Sequence, residues 1–189
     1  METMTRDDVM RETVKHVRRV GTLMLEAVSK LQTRAMTHDD SKFSPDEFDA
    51  FARETPGLKA LTYGSPEYKA ALERLGPALA HHYAANPHHP EHFTTTCMQC
   101  GNNESNPCTC GGPRLQGGID RMDLLHLIEM LADWKAATER HADGSLPKSI
   151  VGNAKRYGYN DAMARLLART AANLGWITEQ DFQAMPVVS

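Results

Sequence analysis

Apolar residues three and four positions apart, repeated helix-start signals and the lack of any alternating run predict an all-α protein. Through the first thirty residues Val14, Val17, Val20, Met24, Val28 and Leu31 keep that spacing, which predicts a helix over about 6–36. A continuous helix would hold His16 and His38 about 33 Å apart at a rise of 1.5 Å per residue. Ser29-Lys30-Leu31-Gln32 has the form of a capping box and offers a break, after which two antiparallel helices would return His16 to His38. Ser44-Pro45-Asp46-Glu47 opens the next helix, with serine as N-cap, proline at the first helical position and glutamate three residues after the cap. Ser65-Pro66-Glu67 opens another that runs towards His81-His82, and Gly76-Pro77 predicts a kink or restart inside it. A strong amphipathic helix is expected from Asp120 to His141 through Leu124, Leu127, Ile128, Leu131 and Trp134. Two shorter helices follow near 147–157 and 160–173, and Thr178-Glu179-Gln180 is a last cap signal.

With 189 residues the chain fits a single domain over 1–189, long enough for a hydrophobic core. No stretch approaches the roughly 20 apolar residues of a membrane span. The polar, acidic start Met1-Glu2-Thr3-Met4-Thr5-Arg6-Asp7-Asp8 is not a secretory signal, so a cytoplasmic protein is expected. A net charge of -3 gives no long-range attraction to nucleic acid and is compatible with a small phosphorylated substrate.

Cys97, Cys100, Cys108 and Cys110 are the only cysteines and follow C-x2-C-x7-C-x-C. In a cytoplasmic chain that spacing reads most simply as a tetrahedral thiolate site for structural zinc, with free or redox-active thiols and disulfides as alternatives. Gly101, Asn102, Asn103, Gly111 and Gly112 supply the backbone freedom of a tight metal knuckle. A cysteine-rich loop inserted over 93–118 is expected, next to His92 in sequence, where it would border the site as a lid or specificity element.

Five of the nine histidines fall within residues 81–92, and His38-Asp39 forms a doublet upstream. Neutral imidazoles beside a carboxylate make the mixed nitrogen and oxygen set that suits zinc, iron, manganese or nickel. Glu129 and Asp133 stand one helical turn apart, so their carboxylates share a face. Buried that close they would repel unless a cation or proton lay between them. On an exposed face Glu129 would instead pair with a basic residue.

The order His16, His38-Asp39, the histidines of 82–92 and Asp133 resembles the HD superfamily of metal-dependent phosphohydrolases. The chain is also similar to a family of small HD-like proteins of bacteriophages and bacteria that has no assigned reaction. That similarity runs through His38-Asp39-Asp40-Ser41-Lys42-Phe43, Tyr63-Gly64-Ser65-Pro66-Glu67-Tyr68, residues 82–92, Glu129-Met130-Leu131-Ala132-Asp133-Trp134 and Ser149-Ile150-Val151-Gly152-Asn153. The cysteine insert departs from it. The resemblance implies an HD-like helical bundle, in host cytoplasm if phage-encoded. His38, Asp39, Asp133 and His16 would fix one divalent ion, magnesium, manganese, iron, nickel or zinc. His82, His88, His89 and His92 would hold a second ion or its outer shell. Lys42 would approach phosphate, and Arg156 is a second candidate for neutralising its charge. Asn86 would orient a ligand or cap the preceding helix, Glu91 would act as general base or salt-bridge partner, and Asn153 and Glu129 lie in the shared motifs as substrate-binding and catalytic candidates.

Three functions compete. The first is hydrolysis of a nucleotide or related phosphoester by metal-activated water. The second uses the same ligands for two irons and oxygen activation, as in a minority of HD proteins. The third is not enzymatic, a zinc knuckle that binds a protein. Binding of nucleic acid is disfavoured by the acidic charge and by the lack of lysine or aromatic residues between Cys97 and Cys110.

Overall fold

The computed structural model describes residues 4–58, 61, 65–93, 118–141 and 143–188. The regular secondary structure among those residues is all helical, with no strand. The four cysteines and nearly all of the expected insert lie outside them. No described helix is long and apolar enough to cross a membrane.

The single domain expected over 1–189 divides at His38 into two units, 1–38 and 39–189. The first is one helix, α1 (Arg6–Thr37), opened by a capping box in which the Thr5 hydroxyl accepts from the Asp8 amide and the Asp8 carboxylate accepts from the Thr5 amide. The break expected at Ser29 does not occur. Ser29 lies inside the helix, and its carbonyl also accepts from the Thr33 hydroxyl at 3.2 Å. A capping box can cap only if the preceding backbone leaves the helix. Leu25-Glu26-Ala27 before it and Lys30-Leu31-Gln32 after it are good helix formers, with no glycine or proline to stop propagation.

The second unit opens on a reversal. Asp39 takes a left-handed conformation (φ 58°), and a 3-10 turn follows over Asp40–Phe43. The Ser44 carbonyl then accepts from the amides of Glu47 and Phe48, which starts α2 (Phe48–Leu58) a turn later than the serine alone implies. Helix α3 (Pro66–Ala85) begins at the Ser65 cap and kinks at Gly76 (φ 45°, ψ -117°), as Gly76-Pro77 predicts. It packs on α2 and is followed by a 3-10 turn over Pro90–His92. Asp120 lies in a further 3-10 turn, Ile119–Arg121, so α4 (Leu124–Thr138) starts later than expected, capped by Asp123. Helices α5 (Leu146–Tyr157), α6 (Asp161–Asn173) and α7 (Glu179–Gln183) follow, capped by Ser145, Asn160 and Thr178.

These last four helices enclose the core. Leu127, Met130, Leu131 and Trp134 of α4 meet Ile150, Ala154 and Tyr157 of α5 and Ala164, Leu167, Ala168 and Ala171 of α6. Trp134 and Tyr157 stack with ring centres 6.3 Å apart. With those four residues held inward, α4 is fixed in rotation, and Glu129 and Asp133 are carried on another part of its surface.

Candidate metal centre

Asp39 is the only described non-glycine residue with positive φ. It directly follows the C-cap of α1, where glycine usually supplies the left-handed turn. Aspartate tolerates that region better than most residues, at a strain on the order of 1 kcal/mol. The turn aims its carboxylate at the end of α3 and the segment after it.

Asp39 Oδ1 lies 3.4 Å from His82 Nε2 and 3.4 Å from His88 Nε2, while His82 Nε2 and His89 Nε2 are 2.9 Å apart. Ligand atoms about 2.1 Å from one ion stand about 3.0 to 3.4 Å from each other in octahedral or tetrahedral array, so this spacing fits a shared cation. Donor atoms of Asp39, His82 and His89 form one grouping within 4.8 Å, and those of His88, His89 and Asp133 form a second that shares His89.

The far side of two rings strengthens the case. His82 Nδ1 is 2.9 Å from Glu47 Oε2, and His88 Nδ1 is 3.1 Å from Glu129 Oε1. A carboxylate on Nδ1 draws the ring proton there and leaves the Nε2 lone pair facing Asp39. Protons alone would satisfy this arrangement only by making two buried imidazoliums, with His82 3% and His88 1% exposed. Burial first, then the Lys42 ammonium, lowers the pKa of His82 despite Asp39 and Glu47. Burial, with His88 and His82 nearby, pushes His89 down to about 3, so it is a neutral ligand near pH 7. For Asp39 burial acts against ionisation, but the Lys42 ammonium beside its other oxygen favours the charged form and the carboxyl is held below its ordinary range. The donor set is therefore one carboxylate and neutral imidazoles, which fits a divalent transition ion.

Glu47 was read in the sequence only as a helix-start residue. It is wholly buried, yet accepts from both His81 Nδ1 at 2.7 Å and His82 Nδ1. Burial raises its pKa, but hydrogen bonds from His81, Ser41 and His82 outweigh that and hold it below the ordinary glutamate range, so it remains a carboxylate. No local signal marks this role, because Glu47 and His82 are 35 positions apart. Asn86 caps α3, donating to the His82 carbonyl at 2.8 Å and to Ser41 Oγ at 2.6 Å. Of its two expected roles the structure supports capping.

Other candidates are placed differently. His16 lies within the unbroken α1, so the separation of about 33 Å from His38 stands and the two do not share an ion. His38 ends the first unit and is joined to the centre by its peptide bond to Asp39. His92 belongs to no grouping among the described residues, and its Nδ1 is 3.1 Å from the Tyr83 carbonyl. Glu91 accepts from Arg156 at 2.6 Å and from the Tyr157 hydroxyl at 2.8 Å, which favours the salt-bridge role over general base. Arg156 is paired with Glu91 in this arrangement. Asn153 is buried and donates to Ser149 Oγ within α5. Glu129 acts on the His88 ring. Lys42 reaches the centre, its ammonium 2.5 Å from Asp39 Oδ2.

The model of a family of unknown function (DUF5662) matches residues 5–179. The chain belongs to that family. The match spans both units and every residue of the centre, so the Asp39 turn, the histidines after α3 and the α4 carboxylates all lie within one family domain. No curated protein and no solved structure matches the chain.

Proposed function

We propose that this member of the family is a metal-dependent phosphohydrolase with an HD-like helical centre, acting on a nucleotide or another small phosphoester. The observation that carries the reading is the convergence of Asp39 Oδ1 with the Nε2 atoms of His82, His88 and His89, backed by Glu47 and Glu129. Asp39, His82 and His89 would hold one ion, and Asp133 and His88 would complete that ion's shell or contribute to a second.

The chemistry a divalent ion would supply there is a bound water acidic enough to give hydroxide near neutral pH. Hydrolysis would join a water oxygen to phosphorus and break the bond from phosphorus to the ester oxygen, which would leave as the alcohol after taking a proton from water. Lys42 is the closest cation for the phosphoryl oxygens as charge builds on them. Glu47 and Glu129 keep His82 and His88 in the tautomer that presents Nε2. Zinc at Cys97, Cys100, Cys108 and Cys110 is proposed on spacing alone.

Elemental analysis of wild type against Asp39→Asn and His89→Ala tests the reading. Loss of at least one metal equivalent in each variant is expected, together with loss of manganese- or magnesium-dependent phosphate release from a panel of phosphoesters. Asparagine tolerates the left-handed region, so Asp39→Asn removes the charge and keeps the turn. Unchanged metal content in both variants would sink the centre. Two irons with a visible absorption band, and no phosphate release with any metal, would transfer the chemistry to oxygen activation.

A further inference from the structure

Beside the centre lies an open groove of about 680 Å³, lined by Lys42, Phe43, Phe48, Phe51 and Thr55 among others. Its volume falls in the range of about 300–1,000 Å³ typical of small-molecule sites. Three of the chain's five phenylalanines line it, two of them exposed, Phe43 at 77% and Phe48 at 52%. Single exposed apolar residues are ordinary on protein surfaces. Three rings in one groove with a cation that touches the Asp39 carboxylate are not. Lys42 makes that link, its ammonium 5.3 Å from the Phe51 ring centre and 2.5 Å from Asp39 Oδ2. Phe51 is the partition, because it also meets His82 edge to face with ring centres 5.5 Å apart.

We infer that this groove seats the aromatic group of a phosphoester whose phosphoryl end lies at Lys42 and the metal centre. The inference rests on the phosphohydrolase reading for the position of the phosphoryl group. The occupant follows from complementarity. The groove is apolar with one positive charge in its lining, Lys42, at the end beside Asp39, so it matches a planar apolar body carrying an anionic head. A phenyl or nucleobase ring would find aromatic faces to stack on, whereas an alkyl phosphate would leave them wet. The site therefore selects aromatic over aliphatic phosphoesters.

Titration calorimetry on the metal-loaded full chain tests this with phenylphosphonate and methylphosphonate, which carry the same anionic head and are not hydrolysed. Phenylphosphonate is expected to bind about ten-fold more tightly, the size of one ring stacked on aromatic side chains. The Phe43→Ala/Phe48→Ala double variant is expected to bring the ratio close to one. Ala52→Leu, which fills the groove from its exposed edge with a non-aromatic chain, should do the same by obstruction, and serves if the double variant fails to fold. Equal affinities in wild type, no binding of either phosphonate, or a preference unchanged in the folded variants would each overturn the inference. Phosphate release from phenyl phosphate is measured alongside. A phenyl preference without any release leaves the groove standing and removes the hydrolase reading. Release from phenyl and methyl phosphate alike, with equal phosphonate affinities, does the reverse.

Discussion

At the scale of single residues, Glu47 carries the most weight for the proposed ion. A carboxylate is not buried completely without partners, and its two oxygens face two imidazole rings. Of these, His82 turns its other nitrogen to Asp39 and His89. Glu47→Gln keeps the shape but replaces one acceptor by a donor, so the His82 proton loses its place. Metal affinity, read by competition with a chelator, should fall about 10- to 100-fold. Wild-type affinity in a folded Glu47→Gln protein would show that Glu47 has no part in holding the ring. The contrast with Asp39 explains what the sequence could disclose about the site. His38-Asp39 and the histidines of 82–92 are conspicuous because metal-ligating residue types crowd together along the chain. Glu47 and Ser41 are not, because their roles arise only when the segment before α2 folds against the end of α3.

Among the elements, several helix starts were legible at their cap residues, though that of α4, capped by Asp123, was not. Ser65, Asn160 and Thr178 all accept from the backbone amide three residues ahead, and the Gly76-Pro77 kink lies where the sequence places it. Ser29 misled because a capping box is a local pattern, while leaving a helix requires that the helix lose more than it gains there. The end of α5 gives this scale a direct test. Gly158 occupies the left-handed position that ends the helix (φ 71°), and its amide donates to the Ala154 carbonyl at 2.8 Å. An added Cβ would meet nothing within 4 Å, so Gly158→Ala carries backbone strain without a clash. A loss of about 1 kcal/mol is expected. For a protein of this size that lowers the midpoint of thermal unfolding by about 2 to 4 °C. An unchanged midpoint would mean that the α5 end relaxes freely and does not constrain the core.

Across the whole molecule, the buried histidines tie stability to pH. In the metal-free protein His82 and His89 are held below their ordinary value of 6.5, first of all by burial, with His89 at about 3. Between the folded and unfolded values the unfolded chain binds more protons than the folded one. Stability is therefore complete above about pH 6.5 and falls as the pH drops towards 3, by at most about 1.4 kcal/mol per pH unit for each histidine. Asp39, also depressed, contributes in the same direction but only below its ordinary 3.8, so the upper part of the window belongs to the histidines. A bound ion requires neutral rings and should preserve stability down to lower pH, until protons displace it. Denaturant midpoints of chelated protein from about pH 8 to pH 4.5 should fall steadily below 6.5. His89→Gln, which cannot take up the proton, should flatten part of that slope. A flat profile in the chelated wild type would mean that these rings are hydrated and protonate freely in the folded state, and the case for neutral imidazoles gathered around a cation would fail with it.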